Sequence, residues 1–440
     1  MKPDYQKYKE AGDAAKQIGS SESALENYKS AIAIRPQYSA AHFEIGDTLA
    51  RQGKHLEAIA AYSASWVFSC FQLDEAGLMI GRLFVLKNMA FDATRIFEKI
   101  NIDKFDALSK LYFAEALRLE DRIEEAVKFI PELEALEDPL AHRVLGALYL
   151  EIDKLELAEY HLKKASRFDP DGFVTDKKIG LYYRLKDLSS LRVTLEVAIK
   201  NFPQNDFYIA QAIAVDNFLD VNSESPKIKL KDHQHILDAL NYFLPHIKMG
   251  TKVLGTTYEV LTYASKQIVQ NGIGLEFGVR NGNTINILAR ALPSITLYGF
   301  DSFEGIPESW NGEPQFSYST AGRIPNVEPN VILIKGWFED TLKNFMLDRP
   351  ISIVNIDCDL YSSTLTIFKY IGRFISAGTI IIFDEYIGNQ TWMHDEFKAF
   401  QEFVQSYGVS YEYLAVSFYS KQCVIRIIKI GSDPSFNNRG

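Results

Sequence analysis

Sulfur, basic charge and long apolar runs are what this chain has little of. Its 440 residues include three cysteines, Cys70, Cys358 and Cys423. They are far apart, odd in number and without metal-ligand spacing. That argues against a disulfide framework and a thiolate metal site, and predicts a reducing, cytoplasmic setting. Acids outnumber bases by 57 to 47, for a net charge of −10. The chain therefore has no basic footprint for nucleic acid or an anionic membrane. No apolar run is long enough to span a bilayer. The polar start MKPDYQKYKEAGDAAKQ lacks the apolar stretch of a signal peptide. What remains is ordinary globular composition, 47% hydrophobic and 24% charged, at a length that predicts two or three domains.

The first half is repetitive. Gly12, Ala24, Tyr28, Ala31 and Pro36 are matched 34 residues later by Gly46, Ala58, Tyr62 and Ser65. The set returns as Gly81, Ala93 and Phe97, more weakly as Ala114, Ala126 and Ile130, then as Gly146, Ala158, Leu162, Ala165 and Pro170. A sixth copy, Gly180 with Leu191, Leu195 and Pro203, is one residue short. Small residues let paired helices approach closely, an aromatic fills the gap, and Pro stops the second helix. This pattern resembles the tetratricopeptide repeat, which implies a helical solenoid over residues 1–203 that binds a protein partner or self-associates. A purely structural scaffold is the other reading of the same pattern.

Residues 204–250 lose the rhythm. VDNFLDVNSESPKIKLKD reads as an irregular linker, and HQHILDALNYFLPHI as a bridging helix whose apolar residues include Ile236, Leu240 and Phe243. It either joins the two halves or covers a crevice of the second.

The second half, 251–430, alternates strands and helices. Ile273–Phe277 is a strand, Gly278 to Gly282 a glycine-flanked turn, and Asn283 starts a helix. Such glycines let backbone approach a ligand, although the spacing is not the G-x-G-x-x-G of a dinucleotide site. SITLYGFD ends a second strand in Asp301, 23 residues after Gly278, where an acid can hold ribose hydroxyls. VILIKGWFEDTL supplies a third strand, with Trp337 placed to flank a flat base. ISIVNIDCDLYSST and AGTIIIFDEY are adjacent parallel strands ending in Asp357 and Asp359, then Asp384 and Glu385. Ligands sit outside the carboxyl ends of such strands, and unpaired carboxylates there are costly. Two acidic pairs on neighbouring strands point to a metal or substrate site; helix capping is the bland reading. YEYLAVSF and QCVIRIIKI form a C-terminal antiparallel hairpin, and residues 431–440 a flexible tail.

The segments LEFGVRNGNT, YGFDSFEGIPE, LIKGWFEDTL, NIDCDLYSST and GTIIIFDEY resemble a class I S-adenosylmethionine-dependent methyltransferase, and within it the macrocin O-methyltransferase (TylF) family. The resemblance implies a Rossmann-like sheet with helices on both faces, following the all-α repeats. It gives cofactor binding to Glu276, Gly278 and Gly282, with the ribose held by Asp301 beside Ser302. By resemblance to related metal-dependent enzymes, Asp357, Asp384 and Glu385 bind Mg²⁺. The activity implied is methylation of a sugar or glycan hydroxyl. A catechol or other small diol as acceptor, and an inactive interaction scaffold, are the competing readings.

A hydroxyl needs help losing its proton, which a hard cation on carboxylates supplies. Asp359 either binds substrate or orients Asp357. His394 is a candidate general base or substrate contact, or an ordinary helix-start residue. Cys358 reads as core. The long loop ESWNGEPQFSYSTAGRIPNVEPN reads as an active-site lid.

Overall fold

The computed structural model describes residues 2–167, 169–219, 233–347 and 349–431. The centre of the predicted linker and nearly all of the predicted tail lie outside the described residues. Two compact units are present, Met1–Ala165 and Ser166–Gly440.

The first unit is helical hairpins: Asp4–Gln17 with Ser21–Ile34, Ser39–Arg51 with His55–Phe68, Asp74–Leu86 with Ala90–Phe97, and Pro139–Glu151 with Leu155–Ala165. Steric fit explains the small residues. A Cβ on Gly12 would come 2.4 Å from the Tyr28 ring, on Gly46 2.8 Å from Tyr62, on Gly81 2.6 Å from Phe97, and on Gly146 2.7 Å from Leu162. Each large partner is fully buried, contributing about 2 kcal/mol of apolar transfer. The fourth hairpin pairs Ala107–Leu119 with a broken second arm, Ile123–Ala126, Val127–Phe129 and Ile130–Glu134. Pro131 has no N–H to continue a ladder, and a helix restarts there.

The rhythm of the sequence sets its boundary after residue 203, whereas compactness sets one at Ala165/Ser166. The sixth helix pair, Phe173–Leu185 and Leu188–Asn201, and the helix Asp206–Leu219 share the second unit with the sheet. Gly180 shows the reason. A Cβ there would meet the Tyr419 hydroxyl at 2.8 Å, so this glycine accommodates a residue of the sheet unit.

The sheet has eight strands: β1 Lys252–Val253, β2 Ile273–Phe277, β3 Leu297–Asp301, β4 Val331–Lys335, β5 Ile351–Ile356, β6 Ile380–Phe383, β7 Ser410–Val416 and β8 Cys423–Lys429. Their order is β1-β7-β8-β6-β5-β2-β3-β4. All neighbours pair in parallel except at β8, which is antiparallel to both β6 and β7. The short edge strand β1 pairs with β7, and the helix Thr257–Ser265 follows it. Central strands β2, β5 and β6 are buried at every residue, as their mainly apolar runs require. The helix Gln234–Lys248 adds Ile236, Leu240 and Phe243 to a core shared with Ile356, Phe383 and Tyr413. Among the described residues no helix is long and apolar enough to cross a membrane.

Candidate active site

The strand ladder continues one residue past the strand ends. Gly278 N–H donates to the Phe300 carbonyl at 3.0 Å, and Asp357 N–H to Phe277 at 2.9 Å. Asp384 N–H donates to Ile356 and Gly336 N–H to Asp301, both at 2.9 Å. Register therefore brings Gly278, Asp301, Asp357 and Asp384 to one edge of the sheet, outside its carboxyl ends.

On the β2–β3 side the site is backbone. Gly278 has φ +96°, and a Cβ there would lie 1.7 Å from the Asp357 carbonyl oxygen. Nothing larger than glycine fits. Gly282, φ +82°, precedes the helix Asn283–Ala291. Asp301 holds the turn between them: Oδ2 accepts from Val279 and Arg280 N–H at 2.8 and 2.7 Å, and Oδ1 from Phe303 N–H at 2.6 Å. A carboxylate offers about four lone-pair sites, so capacity remains for ribose hydroxyls. Ser302 is buried, its Oγ accepting from Glu304 N–H at 3.1 Å. Trp337 is half-buried before the short helix Phe338–Thr341. Glu276 has no exposed surface and accepts from Thr284 Oγ1 at 2.9 Å and Asn355 Nδ2 at 3.0 Å. Burial pushes its carboxyl up to about 8. It reaches the site through the residues it holds.

On the β5–β6 side the site is carboxylate. Asp357, Asp359, Asp384 and Glu385 are each half-buried. Burial, then the charge of Asp384, pushes Asp357 well above the carboxylate range. Burial and the charge of Glu385 push both Asp359 and Asp384 up to about 7. Glu385 is raised by burial, partly offset by Lys421. Lys421 Nζ lies 3.3 Å and Asn389 Nδ2 3.4 Å from its carboxylate. Gln422 Nε2 donates to Asp384. His394 is exposed in the turn Trp392–His394. Cys358 is buried with its Sγ 3.4 Å from Thr364 Oγ1, a core position.

Four residues escaped the sequence reading. Glu396, fully buried, accepts from Glu385 N–H at 3.2 Å and Cys358 N–H at 3.5 Å, joining the two acidic strand ends. It looks in sequence like an ordinary acid in the first turn of the helix Glu396–Tyr407. Asn355 leaves Oδ1 buried without a hydrogen-bond partner among the described residues. A polar residue inside the apolar run ISIVNI was its signal. Lys421 and Gln422 lie in a turn whose position over the acids has no local signature.

The long loop after β3 is ordered. Ile306 N–H donates to the Ser317 carbonyl at 3.0 Å, and Gly322 N–H to the Phe303 carbonyl at 3.0 Å. Arg323 donates to Asn281 at 3.2 Å and Ser362 to Glu308, tying the loop to the glycine turn and to the helix Tyr361–Ile371. Tyr318 lies 5.3 Å from the Arg280 guanidinium. Burial, then the charge of Asp359, raises its hydroxyl to about 12.

Residues 275–386 match the family model for a methyltransferase domain. The sheet-bearing part of the chain is thus similar to methyltransferase domains over those residues. Residues 12–53 match a TPR-repeat model. Among solved structures, the O-methyltransferase NovP is 19% identical, covering 40% of this chain and 81% of that one, with a TM-score of 0.33. CalS11, a TDP-rhamnose 3'-O-methyltransferase of calicheamicin biosynthesis, is 21% identical over 46% of this chain and 87% of that one, TM-score 0.27. The TPR protein YrrB, with an unusual peptide-binding site, is 18% identical over 38% and 87%, TM-score 0.33. No curated protein matches.

Within this methyltransferase-like part the residues present suit S-adenosylmethionine, the usual donor of this fold. The cradle at Gly278, which any Cβ would fill, adjoins Asp301, whose Oδ2 accepts from the next residue's N–H. Mg²⁺ is not supported. Among the described residues, no group of three His, Cys, Asp or Glu side chains is placed to hold a metal ion. Glu385 is instead engaged by Lys421 and Asn389.

Proposed function

We propose that the chain is an S-adenosylmethionine-dependent O-methyltransferase acting on a hydroxyl of a sugar or glycan-type acceptor. The observation that carries this reading is the strand-end row, with a turn closed by Gly278 on one side and half-buried acids near neutrality on the other. S-adenosylmethionine supplies, when bound, an electrophilic methyl group on a sulfonium. Asp301 and the turn it holds would orient the donor's ribose and methionine portion. Asp359 or Asp384, raised to about 7, would accept the acceptor's hydroxyl proton; a base is most effective when its affinity for protons matches the working pH. The loop carrying Tyr318 would exclude water. The repeats of the first unit would recruit a partner or pair with a second copy.

Calorimetry with S-adenosylhomocysteine tests the reading: binding is expected, and EDTA should leave the affinity unchanged because the turn and Asp301 are the proposed cofactor wall. Transfer of labelled methyl to sugars, against a catechol panel, then separates acceptor classes. Binding of NAD in place of the homocysteine product would overturn the assignment.

A further inference from the structure

The turn between β7 and β8, residues 417–422, carries both side chains that restrain the acids of β6. Lys421 Nζ approaches Glu385 at 3.3 Å, and Gln422 Nε2 donates to Asp384. The turn is held internally. Ser417 N–H bonds the Gln422 carbonyl at 2.8 Å, and Ser420 N–H bonds Ser417 Oγ at 2.9 Å. Ser420 Oγ donates to Gln422 Oε1 at 2.8 Å, which directs the other end of that amide toward Asp384. Ile387 N–H, just beyond the acids, bonds the Lys421 carbonyl at 3.2 Å.

The opposite side of the turn is held by a helix of the last repeat, Phe173–Leu185, and by the helix Asp206–Leu219 that follows the repeats. Gln211, fully buried in the helix Asp206–Leu219, donates from Nε2 to the Phe418 carbonyl at 2.9 Å. Its Oε1 accepts from the Tyr183 hydroxyl at 2.9 Å. Tyr419 donates to the Asp176 carbonyl at 3.1 Å, in the space left by Gly180. Gly255, whose carbonyl accepts from Ser417 Oγ, backs onto Tyr183, where a Cβ would come within 2.2 Å. A buried amide bonded at both ends is costly to leave half-satisfied, so it fixes the position of whatever it holds.

We infer that Gln211 is a positioning residue for Asp384 and Glu385, acting through Phe418 and the 417–422 turn. The helix that follows the repeats thus sets the acidic half of the methyltransferase site. Its catalytic meaning rests on the function proposed above, but its measurement does not.

The test uses the full chain. Gln211→Met keeps the side-chain length and removes both bonds; Lys421→Met releases Glu385 directly. Carbodiimide amidation, read residue by residue by mass spectrometry, reports how open each carboxylate is. Gln211→Met should raise amidation at Glu385 about ten-fold, as Lys421→Met does, with Asp301 unchanged. S-adenosylhomocysteine affinity should also stay constant. A rise at Glu385 in Lys421→Met alone would overturn the inference, leaving Gln211 as packing. An equal rise at Asp301 would overturn it too, as general loosening. If Gln211→Met does not fold, Tyr183→Phe removes only the outer bond; a smaller rise at Glu385 supports the inference and none overturns it. Failure of the wild type to bind S-adenosylhomocysteine would sink the methyltransferase reading and leave the amidation result standing.

Discussion

At the ends of β2 and β3 the site is made of backbone, whereas at β5 and β6 it is made of carboxylates. The first half has one shape, because Gly278 lies against the Asp357 carbonyl and Asp301 accepts two backbone N–H groups of the turn and that of Phe303. The second half is an electrostatic balance. Burial raises Asp357, Asp359, Asp384, Glu385 and Glu396, and only Lys421 faces them as a hydrogen-bonded ammonium among the described contacts. Steric change should therefore break the first half, and change of charge should retune the second.

The sharpest way to break this division is Gly278→Val. The new side chain needs both an unfavourable φ and space already filled by a carbonyl oxygen. Loss of more than about 4 kcal/mol of stability is expected, with S-adenosylhomocysteine binding abolished. Thermal unfolding and calorimetry check both. A variant that retained normal stability and affinity would mean the turn is pliable and the first half is not a fixed shape.

Legibility in the sequence follows the same line. The repeat was readable because each glycine and its large partner are 16 residues apart within one hairpin, as Gly12 and Tyr28 or Gly81 and Phe97 show. Strand ends were readable because apolar runs stop abruptly at Asp301, Asp357 and Asp384. What could not be read depends on distant chain segments meeting. Gln211 and Phe418 are 207 residues apart, and neither carries a local signal. Nor does periodicity reveal that Gly180 accommodates Tyr419 rather than a residue of its own hairpin. Glu396 was hidden differently, since an acid at a helix start has a sufficient local explanation.

A milder test joins the two halves, because Glu276 of β2 and Asn355 of β5 share a hydrogen bond. The folded carboxyl of Glu276 lies at about 8, above its unfolded value. Between those values the native state binds more protons than the unfolded chain, so this group's contribution to stability falls as pH rises. The slope reaches about 1.4 kcal/mol per pH unit and levels off above the folded value. Glu276→Gln removes that proton and sets an amide N–H near Asn355, whose Oδ1 lacks a partner. Denaturant melts from pH 5 to 9 should show the variant gaining on the wild type as pH rises. Parallel curves would mean that Glu276 is ionised without penalty and that the two halves are not linked through it.

The smallest effect is expected at His394. An exposed imidazole in the turn Trp392–His394 has no burial to lose, so His394→Ala should change stability by less than about 0.5 kcal/mol. It should leave S-adenosylhomocysteine affinity unchanged, since the glycine turn and Asp301 are the proposed cofactor wall. Once an acceptor is found, the rate of methyl transfer decides whether the acidic half is carboxylate alone. If Asp359 or Asp384 takes the proton, the variant retains the wild-type rate and the same acidic limb in its pH profile. A loss of about a hundred-fold or more, with that limb displaced, would make the imidazole the base. The carboxylates would then be left to bind and orient the acceptor, and the balance of charges at β5 and β6 would serve recognition instead of proton transfer.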